Sequence, residues 1–144
     1  MRCVIQKAKD AKCIVNKKIV SEIDFGLMVL VGFTETDSEK EIKWMAKKIA
    51  NLRIFDDDNH IMNKSVIDIK GKILAISQFT LYGDASKGNR PSYIKALNGD
   101  KALPLYNEFC KELNNYVETL EGVFGGDMNI EFTNVGPTTI TIER

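Results

Sequence analysis

Leu27-Met28-Val29-Leu30-Val31 is an unbroken apolar run of five residues, closed by Gly26 before it and Gly32 after it. It is too short for a buried helix and reads as a strand covered on both faces. Ile73-Leu74-Ala75-Ile76 repeats the pattern and continues directly into Ser77-Gln78-Phe79-Thr80-Leu81. Strands of this kind need layers on either side, and the rest of the chain supplies them.

Ahead of the first run, Arg2–Ala8, Lys12–Val15 and Lys18–Ile23 read as a meander, with Asn16-Lys17 as a tight turn. A helix follows, because Ser38 stands three residues before Glu41 as a capping box. Ile42, Met45, Ala46, Ile49 and Ala50 then recur on one helical face, with Trp44 beside them. Leu52–Phe55 reads as a short strand, and Asp56-Asp57-Asp58-Asn59 as a turn. Beyond a loop at Tyr82–Ser92, a second helix starts near Asp100, with Pro104 expected in its opening turn. Ala102, Tyr106, Phe109, Leu113 and Tyr116 give it an apolar stripe. Met128, Ile130 and Phe132 alternate with polar residues in a final β region, and a connection at Asn134-Val135-Gly136-Pro137 leads into Thr138–Ile142. Strands at both ends around two amphipathic helices predict one α+β domain over residues 1–144.

Twenty basic and twenty acidic residues cancel, which argues against a protein that coats nucleic acid by bulk charge and leaves open a local basic patch. Cys3, Cys13 and Cys110 are odd in number and lack C-x-x-C spacing, so neither a disulfide framework nor a structural zinc site is expected. No leader pattern or membrane-spanning run is present, and the chain reads as soluble and cytoplasmic.

Few residues offer chemistry. His60 is the single histidine and follows four polar turn residues, so a solvated loop explains it better than a triad. Three consecutive carboxylates, Asp56 to Asp58, cannot easily face one ion, and no glycine-rich nucleotide motif occurs. No metal and no cofactor are therefore expected. Two segments resist a purely structural account. Ser77-Gln78-Phe79-Thr80 puts hydrogen-bonding groups where a buried strand would prefer apolar ones. Gly136-Pro137 reads either as a hairpin connection or as a cis bond that aims two carbonyls into a site.

Taken together in this order and spacing, Ser77-Gln78-Phe79-Thr80-Leu81 and Asn134-Val135-Gly136-Pro137-Thr138-Thr139 resemble the D-aminoacyl-tRNA deacylases, also called D-tyrosyl-tRNA(Tyr) deacylases. Val4-Ile5-Gln6, Gly88-Asn89-Arg90-Pro91-Ser92, Phe124 and Met128 extend the resemblance over the whole chain. It implies a mainly antiparallel, barrel-like homodimer that hydrolyses the ester of D-aminoacyl-tRNA, and of glycine on the wrong tRNA. It also implies a site at the subunit interface. Ser77, Gln78, Phe79 and Thr80 of one copy would meet Gly136 and Pro137 of the other, with Phe124 and Met128 near the terminal adenosine.

An aminoacyl ester is already activated, so the chemistry turns on stabilising an oxyanion. Backbone N–H groups around Phe79 and Thr80 are the candidate donors. Thr80 could serve as nucleophile, but no base is visible for it, and water assisted by the substrate 2′-OH is preferred. Gly136 and Pro137 carbonyls would hold the α-ammonium and collide with an L side chain. Two positions depart from the family pattern: Lys7 stands where arginine is common, and Val135 where an acidic residue often stands. Lys87, Arg90 and Lys95 are candidates for phosphates near the tRNA end. Two rivals remain: a serine esterase built on Ser77 and His60, and a non-catalytic dimeric module that binds an RNA 3′ end or an adenine nucleotide.

Overall fold

The computed structural model describes residues 1–144. Its first third is one long hairpin: β1, Arg2–Val15, turns back through Asn16-Lys17 into β2, Lys18–Gly32. Asn16 and Lys17 both take positive φ, 50° and 63°, the pairing that lets a two-residue turn follow the strand twist. The separate strands expected here are fused. Polar Lys9 and Asp10 suggested a break, but they form an exposed irregularity inside continuous pairing, with Asp10 at φ 53°. Gly26 likewise does not start a strand; it lets two backbones touch. A Cβ there would stand 1.9 Å from the Lys72 carbonyl oxygen.

The remaining elements are α1 (Glu39–Ala50), β3 (Phe55–Asp56), β4 (Met62–Lys64), β5 (Lys72–Ser77), a 3-10 turn (Phe79–Tyr82), α2 (Gly99–Asn114), β6 (Thr119–Glu121) and β7 (Asn129–Glu143). The main sheet runs β6-β5-β2-β1-β7. It is mixed: β1 pairs antiparallel with β2 and β7, while β5 pairs parallel with β2 and β6. Parallel neighbours require long crossovers, and α1 and α2 lie within them.

Both helices have the caps their sequences offer. The Ser38 N–H and hydroxyl donate to the Glu41 carboxylate at 3.1 and 2.5 Å, and Asn98 Oδ1 accepts from the Asp100 N–H at 3.1 Å. Pro104 sits past the opening turn of α2, at its sixth residue, where it forgoes one backbone bond. The α1 stripe is buried as expected, and so are Ala102, Tyr106, Phe109 and Leu113, whereas Tyr116 lies beyond α2 and is exposed. Ile42, Met45, Ala46 and Ile49 of α1 and the four buried α2 residues pack with Cys3, Ile5, Leu27, Val29, Val31, Ile73 and Ala75 into the larger core on one sheet face. A second cluster on the other face joins Ala8, Ala11, Cys13, Ile23, Met28, Leu74 and Ile76, backed by Met128, Ile130 and Phe132.

Two local expectations give way. Of the expected Leu52–Phe55 strand only Phe55 pairs, and Asp56, expected in the turn, extends it against Met62–Lys64. The segment around Gly136-Pro137 is not a hairpin, because β7 pairs with β1 on both sides of it. Gln6 faces Thr139 and Ala8 faces Asn134, so residues 135–138 bulge out opposite Lys7 alone. No helix is long and apolar enough to cross a membrane.

Candidate active site

β5 ends where its chemistry changes. Ser77 is its last residue, paired with Val31, and the Gln78 N–H donates to the Val31 carbonyl at 2.7 Å. The chain then coils instead of extending the strand: Leu81 N–H reaches the Gln78 carbonyl at 3.3 Å and Gly83 N–H the Thr80 carbonyl at 2.9 Å. A turn of this kind gives no internal acceptor to its first N–H groups, here those of Phe79 and Thr80. Gln78 Nε2 donates to Thr80 Oγ1, leaving that hydroxyl its own proton to donate. The exposed Phe79 ring stands edge-on to Tyr93 with centroids 5.1 Å apart.

Beside this turn opens a cavity of about 670 Å³, lined by Ser77, Gln78 and Phe79 on one side and Phe124 and Met128 on another. Thr80 lies next to it without lining it. Phe124 leans on Tyr106, ring centroids 5.6 Å apart, whereas Met128 packs against the second core cluster. The cavity wall therefore draws on both cores. Tyr106 is fixed from behind by its hydroxyl, which donates to the buried Ala75 carbonyl at 2.9 Å. Sequence reading missed Gly32, Tyr93 and Leu97 as wall residues. Gly32 carried a signal, since a glycine closing an apolar strand marks a close backbone approach as readily as a strand end.

Gly136 and Pro137 lie elsewhere. Their peptide bond is cis, both residues are exposed, and Gly136 has φ 114°. A Cβ on Gly136 would meet Thr138 Oγ1 at 2.6 Å and the Thr138 nitrogen at 2.8 Å. The base of the bulge is stitched by Thr139, whose hydroxyl accepts from Asn134 Nδ2 at 3.0 Å and Gln6 Nε2 at 3.2 Å. Ser77 shares a cross-sheet row with Val31, Cys3 and Ile142, while the bulge lies on the row of Lys7 and Leu27. Three strand spacings across and four residues along separate the two segments by about 19 Å. One chain does not bring them together. Lys7 is buried, and its ammonium lies 5.6 Å from the Phe55 ring centroid with no hydrogen bond to the bulge.

The acidic run builds the β3–β4 turn. Asp57 accepts the N–H groups of Asn59 and Ile61 at 2.9 and 3.1 Å, bonds that hold its carboxyl below the usual range. Asp58 pairs with Lys64 at 3.0 Å. His60 sits exposed in the same turn at φ 59°. In the 82–92 loop, Asp84 and Ser92 exchange backbone bonds at 2.8 Å and close a tip that presents Lys87 and Arg90 to solvent.

Comparisons with known proteins place the whole chain in a family. The model of the D-Tyr-tRNA(Tyr) deacylase family matches residues 4–143. A protein named D-aminoacyl-tRNA deacylase from Fusobacterium nucleatum subsp. nucleatum is 54% identical, over 99% of this chain and 95% of its own length. One of the same name from Bacteroides fragilis is 50% identical, over 99% and 97%. The solved structure of a c-Myc DNA unwinding element binding protein matches with a TM-score of 0.95 at 36% identity, over 100% of this chain and 99% of that one. A probable eukaryotic D-amino acid tRNA deacylase shares the fold, with a TM-score of 0.82 at 19% identity over 98% and 97%. With the family pattern running from one end of the chain to the other, this chain is an enzyme of the D-Tyr-tRNA(Tyr) deacylase family.

Proposed function

We propose that this chain hydrolyses the ester joining a D-amino acid, or misplaced glycine, to the 3′ end of tRNA, releasing free tRNA and amino acid. The observation that carries the reading is the cavity at the end of β5, where Ser77, Gln78 and Phe79 face Phe124 and Met128. Its size suits a terminal nucleoside, with the adenine against Phe124 and Met128 and the ester toward the turn. Water attacks the carbonyl carbon, helped by the ribose 2′-OH. The N–H groups of Phe79 and Thr80 receive the oxyanion; one such donor is worth roughly 100- to 1,000-fold in rate. Ser77 and Gln78 orient the ester. A triad has no support, since His60 belongs to the exposed β3–β4 turn.

The functional unit is a homodimer. Gly136 and Pro137, about 19 Å from Ser77 within one chain, reach the cavity of a second copy. β7 is an edge strand fifteen residues long, and an open edge of that length favours a covering partner. From the partner, the Gly136 and Pro137 carbonyls hold the α-ammonium of the substrate. A D side chain then points outward, an L side chain meets the carbonyls, and glycine meets nothing. Selection therefore works by collision, and many D side chains are accepted. Lys87 and Arg90 steady the phosphates near the end of the tRNA, a light grip that fits a chain of zero net charge.

The structural likeness to a DNA unwinding element binding protein favours one second reading, a nucleic-acid-binding module without turnover. Incubation of the protein with D-tyrosyl-tRNA and glycyl-tRNA in the presence of chelator separates the two. Rapid loss of both esters is expected. Retention of both esters on bound tRNA would overturn the enzyme reading in favour of the module.

A further inference from the structure

We infer that Arg2 is a positioning residue for this reaction, its guanidinium fixing the far end of the 3-10 turn whose near end carries the N–H groups of Phe79 and Thr80. The inference rests on the deacylase reading of that turn. Arg2 Nη1 donates to the Leu81 carbonyl at 2.5 Å. Nη2 donates to both oxygens of Glu143 at 3.1 and 2.9 Å, and Nε adds a bond of 3.3 Å. The guanidinium carbon stands 4.9 Å from the centroid of the Tyr82 ring. One planar group thus grips two consecutive residues of a four-residue turn.

Side-chain hydrogen bonds to that end are few. Apart from the Gln78–Thr80 contact inside the segment, Arg2 makes the one side-chain hydrogen bond to the turn. The Tyr82 hydroxyl is buried without a partner, so the ring is fixed by packing and by the stacked guanidinium. Strand register explains why Arg2 can do this: it faces Gly32 of β2 on one side and Glu143 of β7 on the other. Glycine at 32 leaves room for the turn to lie against β2 beside Arg2, and Glu143 orients the fork. Lysine could not replace it, because one ammonium lacks the fork that serves the carbonyl and the carboxylate while a flat face lies over the ring.

Arg2 is 32% exposed and Glu143 54%, and ion pairs this wet add little to global stability. Their effect belongs to the placement of the oxyanion donors, where a displacement of an ångström costs about 100-fold.

The test is steady-state hydrolysis of D-tyrosyl-tRNA by the full chain and by Arg2→Met, Arg2→Lys, Glu143→Gln and the Arg2→Met/Glu143→Gln double variant, with melting curves for each. Arg2→Met should lower kcat about 10- to 100-fold with KM within about 3-fold, and should barely move the melting midpoint. Arg2→Lys should recover only a small part of kcat. Glu143→Gln should cost less than Arg2→Met and add nothing to it in the double variant. An unchanged kcat in Arg2→Met would overturn the inference, and so would a kcat loss accompanied by a large fall in melting midpoint and fully restored by Arg2→Lys. If the unmodified chain itself leaves D-tyrosyl-tRNA intact, the deacylase reading fails; if it is active and Arg2→Met equals it, the Arg2 inference fails alone.

Discussion

A methyl group on Gly32 would stand 2.9 Å from the carbonyl oxygen of Gln78 and 3.3 Å from Cβ of Leu81. The last residue of β2 is therefore the floor on which the 3-10 turn rests, and its missing side chain lets that turn lie close to the sheet. Gly32→Ala should push the segment outward by a few tenths of an ångström and disturb the Phe79 and Thr80 donors. We expect a 10- to 100-fold loss of kcat, with overpacking costing about 1–3 kcal/mol of stability. Deacylation rates and a urea titration of the variant check both parts. Full activity in Gly32→Ala would mean that the height of the turn is immaterial.

Thr80 distinguishes two chemistries. Its hydroxyl accepts a hydrogen bond from Gln78 and faces no base. If it were the nucleophile, Thr80→Val would abolish turnover. With water as the attacking group, Thr80→Val should retain activity within about tenfold, since only one positioning contact is lost. Substrate ending in 2′-deoxyadenosine should instead lose at least about 100-fold for every variant. Single-turnover rates on the two substrates give the answer.

Alkaline stability follows from buried neutral groups. Burial pushes the Cys110 thiol and the Tyr82 phenol up to about 12 and also raises Cys3 and Tyr106. Freed by unfolding, these groups return to ordinary values of 9.0 for the thiols and 10.0 for the phenols. Below pH 9 both states hold these protons, and the contribution is constant. Above it the unfolded chain holds fewer protons than the folded one, so stability falls as pH rises. Urea midpoints measured between pH 8 and pH 10.5 should decline. The decline should be shallower in Cys3→Ala/Cys110→Ala, whatever the starting stability of that variant. A midpoint that stays flat across this range would contradict the account.

Much of the fold could be read from local pattern. The α1 stripe and the Ser38–Glu41 cap are periodic signals within one turn of chain, and they reappear residue for residue. The Ile73–Ile76 run is buried as its composition demands. What the sequence concealed depends on partners distant in the chain. Lys9 and Asp10 look like a loop because they are polar, yet the pairing of β1 with β2 carries the strand past them. Gly136-Pro137 looks like a hairpin corner because nothing local reveals that β1 pairs on both sides of it. The parallel pairing of β5 is set by crossover topology and not by its residues. For the site, Ser77 to Phe79 and Phe124 with Met128 were legible as motifs and share one cavity. Gly32 offered only the general signal of a close backbone approach and Arg2 offered none, since both contact a turn some fifty and eighty residues away. Their types alone, a strand-end glycine and a first-strand arginine, have ordinary structural explanations.

In the proposed dimer, Gly136 and Pro137 reject L substrates by collision. Gly136 holds φ 114°, and a methyl group there would press on Thr138 at 2.6 Å, so Gly136→Ala must shift the bulge and its carbonyls. The most direct measurement is release of labelled tyrosine from D-tyrosyl-tRNA and L-tyrosyl-tRNA, side by side, by the unmodified chain and by Gly136→Ala. The unmodified chain should hydrolyse only the D ester, and the variant should narrow the ratio of D to L rates by at least about tenfold. Comparable hydrolysis of L-tyrosyl-tRNA by the unmodified chain, or an unchanged ratio in an active variant, would contradict it.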